Sequence, residues 1–158
     1  MTPEELRRET RHAAANLLTA LCGTLDLVAA RIGPDSPEAA RIARARGAAD
    51  GLSGLLQAYL AIPAEPRAEE HDVAALLARL VPLLEAVSDR RVTWRVAAAA
   101  GLPRVRLERP GFDLMLIGTA RPAAAAADRG AVLTLSLDRA ADGVVLRGLG
   151  PDVLLPRA

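Results

Sequence analysis

Residues 11–32 read RHAAANLLTALCGTLDLVAARI, and their periodicity decides the architecture. Ala14, Leu18, Leu21, Leu25, Val28 and Ile32 recur at alternating short intervals, the seam of one helix lying along another. Upstream, Thr2-Pro3-Glu4-Glu5 is a helix start, with Thr2 as N-cap, Pro3 in the first turn and acids facing the positive helix end. Downstream, Gly33-Pro34 stops the helix. Ser36-Pro37-Glu38 repeats the start signal, and Ile42, Ala45, Ala49, Leu52, Leu56 and Tyr59 form a second seam that Pro63 closes. Two helices joined by Gly33-Pro34-Asp35-Ser36 predict an antiparallel helical hairpin over residues 1–63. A lone hairpin leaves much apolar surface wet, and each buried Leu contributes only about 1.5–3 kcal/mol. The expectation is therefore a homodimer that completes a four-helix bundle.

Beyond the hairpin the pattern changes. Residues 64–71 are Pro, Ala and charge, which reads as a linker. From Asp72, which can cap a third helix through Val87, a second domain is expected over residues 72–158. It holds a strand at 92–97, a short strand at 105–107, a helix from Pro110 broken near Pro122, and strands at 132–137 and 144–146. The predicted class is α+β: a helical hairpin followed by a small α/β sandwich.

Composition excludes several functions. Of 158 residues 51% are hydrophobic and only 2% aromatic, so the chain is no disordered tail and has few rings for stacking bases. Twenty basic residues, all Arg, are interleaved with 19 acids, which argues against nucleic acid. The apolar runs are cut by Arg, Asp or Pro, and no leader pattern opens the chain, so no membrane contact and a cytoplasmic location are expected. The lone Cys22 reads as an inert, buried thiol, and no metal site is expected.

One constellation carries chemistry. His12 and Asn16 are four residues apart, hence on one helical face opposite the seam, and Thr19 and Gly23 extend that face. An imidazole held out on a rigid helix suits nucleophilic attack on phosphorus, with the Asn amide steadying the ring or a phosphoryl oxygen. Arg8 and Arg11 precede it, where positive charge favours a phosphorylated state. By spacing alone, the pair also fits a solvated histidine beside a surface asparagine.

The stretch from Arg11 to Leu27 resembles the H-box of sensor histidine kinases in the form HDxNNLLTxIxGNLEL. Leu55-Leu56-Gln57-Ala58-Tyr59 is similar to the end of that family's second dimerisation helix. Asp72-Val73-Ala74-Ala75-Leu76-Leu77 resembles the opening of its GHKL-type ATP-binding domain, and the segment from Leu102 to Pro110 resembles the approach to its N-box helix. The resemblance implies that His12 is the phosphoryl acceptor and Asn16 its positioning partner, with Arg8, Arg11, Leu17, Thr19 and Gly23 in a receiver-docking surface.

The departures from that family point away from a kinase. The acid that follows the family's histidine is Ala13. Gly118 and Pro122 stand where the N-box supplies asparagines, and neither can ligate through a side chain. The adenine box is reduced to Gly148-Leu149-Gly150, and the chain is expected to stop short of an ATP lid. A dimerising hairpin with an acceptor histidine and a degenerate ATPase-like domain resembles the dimeric histidine phosphotransferases of bacterial phosphorelays. That likeness implies no cofactor of its own, Mg²⁺ brought by the receiver, and response-regulator receivers and a hybrid histidine kinase as partners. The alternative is a non-catalytic pseudokinase that regulates a receiver or kinase by binding.

Four further features have structural readings. His71, among Glu69, Glu70 and Asp72, reads as part of a solvated acidic helix start rather than a cation site. Arg41, Arg44 and Arg46 form a basic stripe that either steers an acidic receiver surface or is simply solvated. Trp94 is expected in the core. Gly148-Leu149-Gly150 alone is too short to identify a phosphate loop.

Overall fold

The computed structural model describes residues 3–89 and 91–158, so the expected cap Thr2 lies outside the described residues. The fold is α+β, with four helices and two small sheets. It divides into two compact units, one ending at Leu60 and the other beginning at Ala61.

The first unit holds α1 (Pro3–Ala29) and α2 (Pro37–Leu60). Ser36 starts α2 as its residue type predicts, its Oγ accepting from Ala39 N at 3.1 Å. Arg11 near the start of α1 donates to the Leu60 carbonyl at the end of α2 (2.7 Å), while Asp26 near the end of α1 pairs with Arg46. The two helices therefore run in opposite directions.

Their contact keeps part of the expected seam, Ala14, Leu18 and Leu25 of α1 with Ile42, Ala49 and Leu56 of α2, and departs from it elsewhere. Ala14, Leu18, Cys22 and Leu25 of α1 and Ala39, Ile42, Arg46, Ala49, Ser53, Leu56 and Ala58 of α2 are among the partly or fully buried positions. Leu21 and Val28 stay 46% and 40% exposed, and Leu52 and Tyr59 stay 53% and 57% exposed. The contact mixes Leu18, Leu25, Ile42 and Leu56 with the smaller Ala14, Cys22, Ala49 and Ser53 and leaves Leu21, Val28, Leu52 and Tyr59 outside.

The second unit comprises β1 (Arg67–His71), α3 (Val73–Val87), β2 (Thr93–Ala98), β3 (Val105–Arg109), α4 (Gly111–Ala126), β4 (Val132–Ala140), β5 (Gly143–Arg147) and β6 (Val153–Pro156). One sheet has the order β2-β4-β5-β6, with β2 parallel to β4 and the other pairs antiparallel. The other sheet is the antiparallel pair β1-β3, and a bridge from Val105 to Arg157 joins β3 to the residue after β6.

Asp72 caps α3, its carboxylate accepting from Ala75 N at 3.1 Å. The apolar face of α3 then buries Leu76, Leu77, Leu80 and Leu84 with Leu116, Ala120 and Ala124 of α4 and the inward Leu135, Leu137, Val144 and Leu146 of the sheet. Trp94 is buried, as its place in an alternating strand predicts, and its indole Nε1 donates to Ser88 Oγ at 3.1 Å.

Three expectations change here. Residues 67–71, read as part of a linker over 64–71, form β1, because β3 offers them a complete antiparallel register despite their charge. Helix α4 is not broken at Pro122 but runs through it. Both Pro122 and Gly118, whose carbonyl loses its partner, are exposed, so water can take that carbonyl. Strand β6 was not expected; it is short and ends in Pro156, a residue tolerated at strand ends and edges.

Among the described residues one helix, α1 over Glu5–Ala29, is long and apolar enough to cross a membrane by length and composition, where interruption by charge predicts none. The same helix packs on α2 and carries a polar stripe, and the fold is compatible with a soluble protein.

Candidate functional site

Helical geometry sorts the residues of α1 into three faces, because successive residues turn by about 100°. One face meets α2. A second carries Arg8, His12, Asn16, Thr19 and Gly23, all exposed. The third carries Leu6, Leu17, Leu21 and Val28; Leu17 is 73% exposed and lies about 140° around the helix from His12. The residues proposed for docking therefore separate. Arg8, Thr19 and Gly23 share the His12 face, whereas Leu17 belongs to the apolar face and Arg11 turns to α2 to bond the Leu60 carbonyl.

The side chains of His12 and Asn16 make no hydrogen bond or ion pair with each other or with any other described residue. The imidazole is thus exposed and unengaged on α1, with the carboxylate of Glu9 one turn away by helical position. Arg8, one turn earlier on the same face, is the nearest cation by helical position.

Beside this face runs a groove between α1 and α2, which needs the register of the two helices to be seen and so escaped the sequence. Ala15, Thr19, Cys22 and Gly23 line it from α1, and Ser53 and Gln57 from α2. At its far end Arg46 is clamped by two carboxylates, with Nε 3.1 Å from Asp26 Oδ1 and Nη1 3.0 Å from Asp50 Oδ1. Cys22 Sγ lies 3.9 Å from the same Asp50 oxygen, so Cys22 is a partly buried groove residue rather than a core thiol. Arg46 therefore leaves the expected Arg41/Arg44/Arg46 stripe. Arg41 stands 3.9 Å from Glu38 on the exposed side of α2.

In the second unit the structure reveals a buried ion pair that the sequence did not suggest. Arg109 Nε lies 2.7 Å from Asp113 Oδ2, and its Nη2 donates to the Ala61 carbonyl at 3.1 Å. Asp113 is fully buried, and its Oδ1 has no hydrogen-bond partner. Desolvation raises the Asp113 pKa, against the pull of the Arg109 hydrogen bond. The only trace in the sequence was the four-residue spacing of Arg and Asp around Pro110-Gly111. His71 closes β1; burial, with Arg109 second, lowers its pKa. No group of metal-ligating side chains occurs among the described residues.

Gly118 and Pro122 share the exposed side of α4. Gly148 (φ 109°) and Gly150 (φ 126°) adopt backbone conformations that favour glycine, and a Cβ at Gly148 would strike the Thr134 carbonyl. Comparison with protein-family models and with curated proteins finds no match.

Proposed function

We propose that this chain is a histidine phosphotransferase of a bacterial two-component phosphorelay. The observation that carries the reading is His12, exposed and unengaged on the same face of α1 as Asn16, in a segment that resembles the histidine-kinase H-box. A ring nitrogen of His12 attacks the phosphorus of a receiver's aspartyl phosphate. The P–N bond forms as the P–O bond to the carboxylate breaks, the aspartate leaves with the bonding pair, and a second receiver's aspartate reverses the exchange. Asn16 steadies the ring or a phosphoryl oxygen, and the receiver contributes the Mg²⁺.

In this reading α1 and α2 form the helical hairpin of a cytoplasmic homodimer. The second copy covers the exposed Leu6, Leu17, Leu21, Val28, Leu52 and Tyr59 to make a four-helix bundle. The second unit is a scaffold derived from an ATP-binding domain, with Gly118 and Pro122 replacing nucleotide ligands. Partners are receiver domains and a hybrid histidine kinase. Incubation with phosphorylated receiver domains tests this: an acid-labile label appears on the wild type and is absent from His12→Ala. Failure of the wild type to take label, or equal labelling of the variant, sinks the phosphotransfer role and leaves regulation by binding.

A further inference from the structure

Helix α2 ends with no basic residue in its last turn. The carbonyls at a helix end lack partners within the helix and carry partial negative charge. Two arginines from other elements supply the missing cations, on consecutive residues. Arg11 Nη2 donates to the Leu60 carbonyl at 2.7 Å, and Arg109 Nη2 to the Ala61 carbonyl at 3.1 Å. The first bond lies within the helical unit, and the second within the unit that begins at Ala61.

Arg109 is braced on its other side. Asp113 Oδ2 accepts from its Nε at 2.7 Å, which leaves Nη2 for the Ala61 carbonyl. Asp113 is fully buried, its Oδ1 has no partner, and desolvation raises its pKa. Well-packed apolar residues commonly serve stability as well as a buried ion pair or better. A half-satisfied pair whose cation also holds the backbone just beyond α2 therefore points to a positional role.

We propose that Asp113, Arg109 and the Ala61 carbonyl form a latch, in which Asp113 is the positioning residue and Arg109 fastens the chain leaving α2 to the second unit. Released, residues 61–66 become a free tether between the two units. The latch is independent of the phosphotransfer reading, and neither stands or falls with the other.

Elastase, whose small specificity pocket accepts alanine, reads the latch directly, because cleavage after Ala61 needs the carbonyl that Arg109 holds. The full chain is digested briefly under native conditions, and mass spectrometry follows cleavage between Ala61 and Ile62. Cleavage within residues 73–158 records general opening of the second unit. Two variants release the latch by different routes. Arg109→Met/Asp113→Leu removes it without leaving a buried charge. Arg109→Lys keeps a charge beside Asp113, but a compact ammonium lacks the guanidinium fork that spans both partners. Each should be cut after Ala61 about tenfold faster than the wild type or more, with cleavage within 73–158 changed less than about twofold. A wild-type rate after Ala61 in either variant overturns the latch. So does equal acceleration at every site in the second unit, which would make the pair a support of the fold alone.

Discussion

Arg109 bridges outward from a fully buried acid: its Nε meets Asp113 Oδ2 at 2.7 Å while the other carboxylate oxygen has no partner. Removing one member of such a pair leaves a buried charge uncompensated, at a cost of about 3–5 kcal/mol. Asp113→Ala and Arg109→Met singly should each destabilise the second unit by about that amount. The double variant Arg109→Met/Asp113→Leu should recover most of the loss, because no buried charge remains. Urea unfolding of the three variants checks the cycle; additive losses would show that the residues do not act as a pair.

His71 and Asp113 give opposite pH dependences. Burial lowers the His71 pKa below its ordinary 6.5, so the unfolded chain binds the proton more readily. Its contribution to stability is present above pH 6.5 and is lost as pH falls from there through its folded value. Asp113 has a raised pKa, so its contribution is present below 3.8 and is lost as pH rises through its folded value. Thermal unfolding across this range should show His71→Gln flattening the acid-side fall that begins near neutrality. An unchanged slope would exclude His71 as its source.

The exposed apolar face predicts a self-association equilibrium. Leu17→Asp and Leu21→Asp place charge on that face without touching the α1–α2 contact. Light scattering should give twice the chain mass for the wild type and the chain mass for either variant. Helical circular dichroism should persist at the concentrations used. A wild-type monomer would contradict the bundle.

Gly148 should resist substitution for a reason unrelated to nucleotides. Its φ of 109° and the clash of a Cβ with the Thr134 carbonyl predict that Gly148→Ala loses about 2 kcal/mol or more of stability. Denaturant midpoints check this. A Gly150→Ala control, strained in φ but with open space around it, should lose less.

Legibility in the sequence followed the range of the interactions. Ser36 and Asp72 mark their helix starts because a cap bonds an amide a few residues away, and both were readable. Trp94 was readable because strand alternation is local. The charged β1 was not, since it is a strand only through its register with β3. Nor was the place of Cys22, rather than Leu21, in the α1–α2 contact, which depends on how α2 lies against α1. Within the candidate site, the one-turn spacing of His12 and Asn16 placed them on a common face. That Arg11 and Leu17 leave that face was also computable from 100° per residue. The clamp on Arg46 was not, because Asp26 and Asp50 converge only across two helices.

The scarcity of aromatic rings has a practical consequence. The one Trp is buried in the second unit against Ser88, and the one Tyr stands exposed on α2 of the first. Each unit therefore carries its own optical reporter. Indole emission follows loss of packing around Trp94, while phenol absorbance and emission sense events at the Tyr59 face, including its burial by a second copy. Folding of one half and association of the other can thus be recorded in a single unlabelled sample.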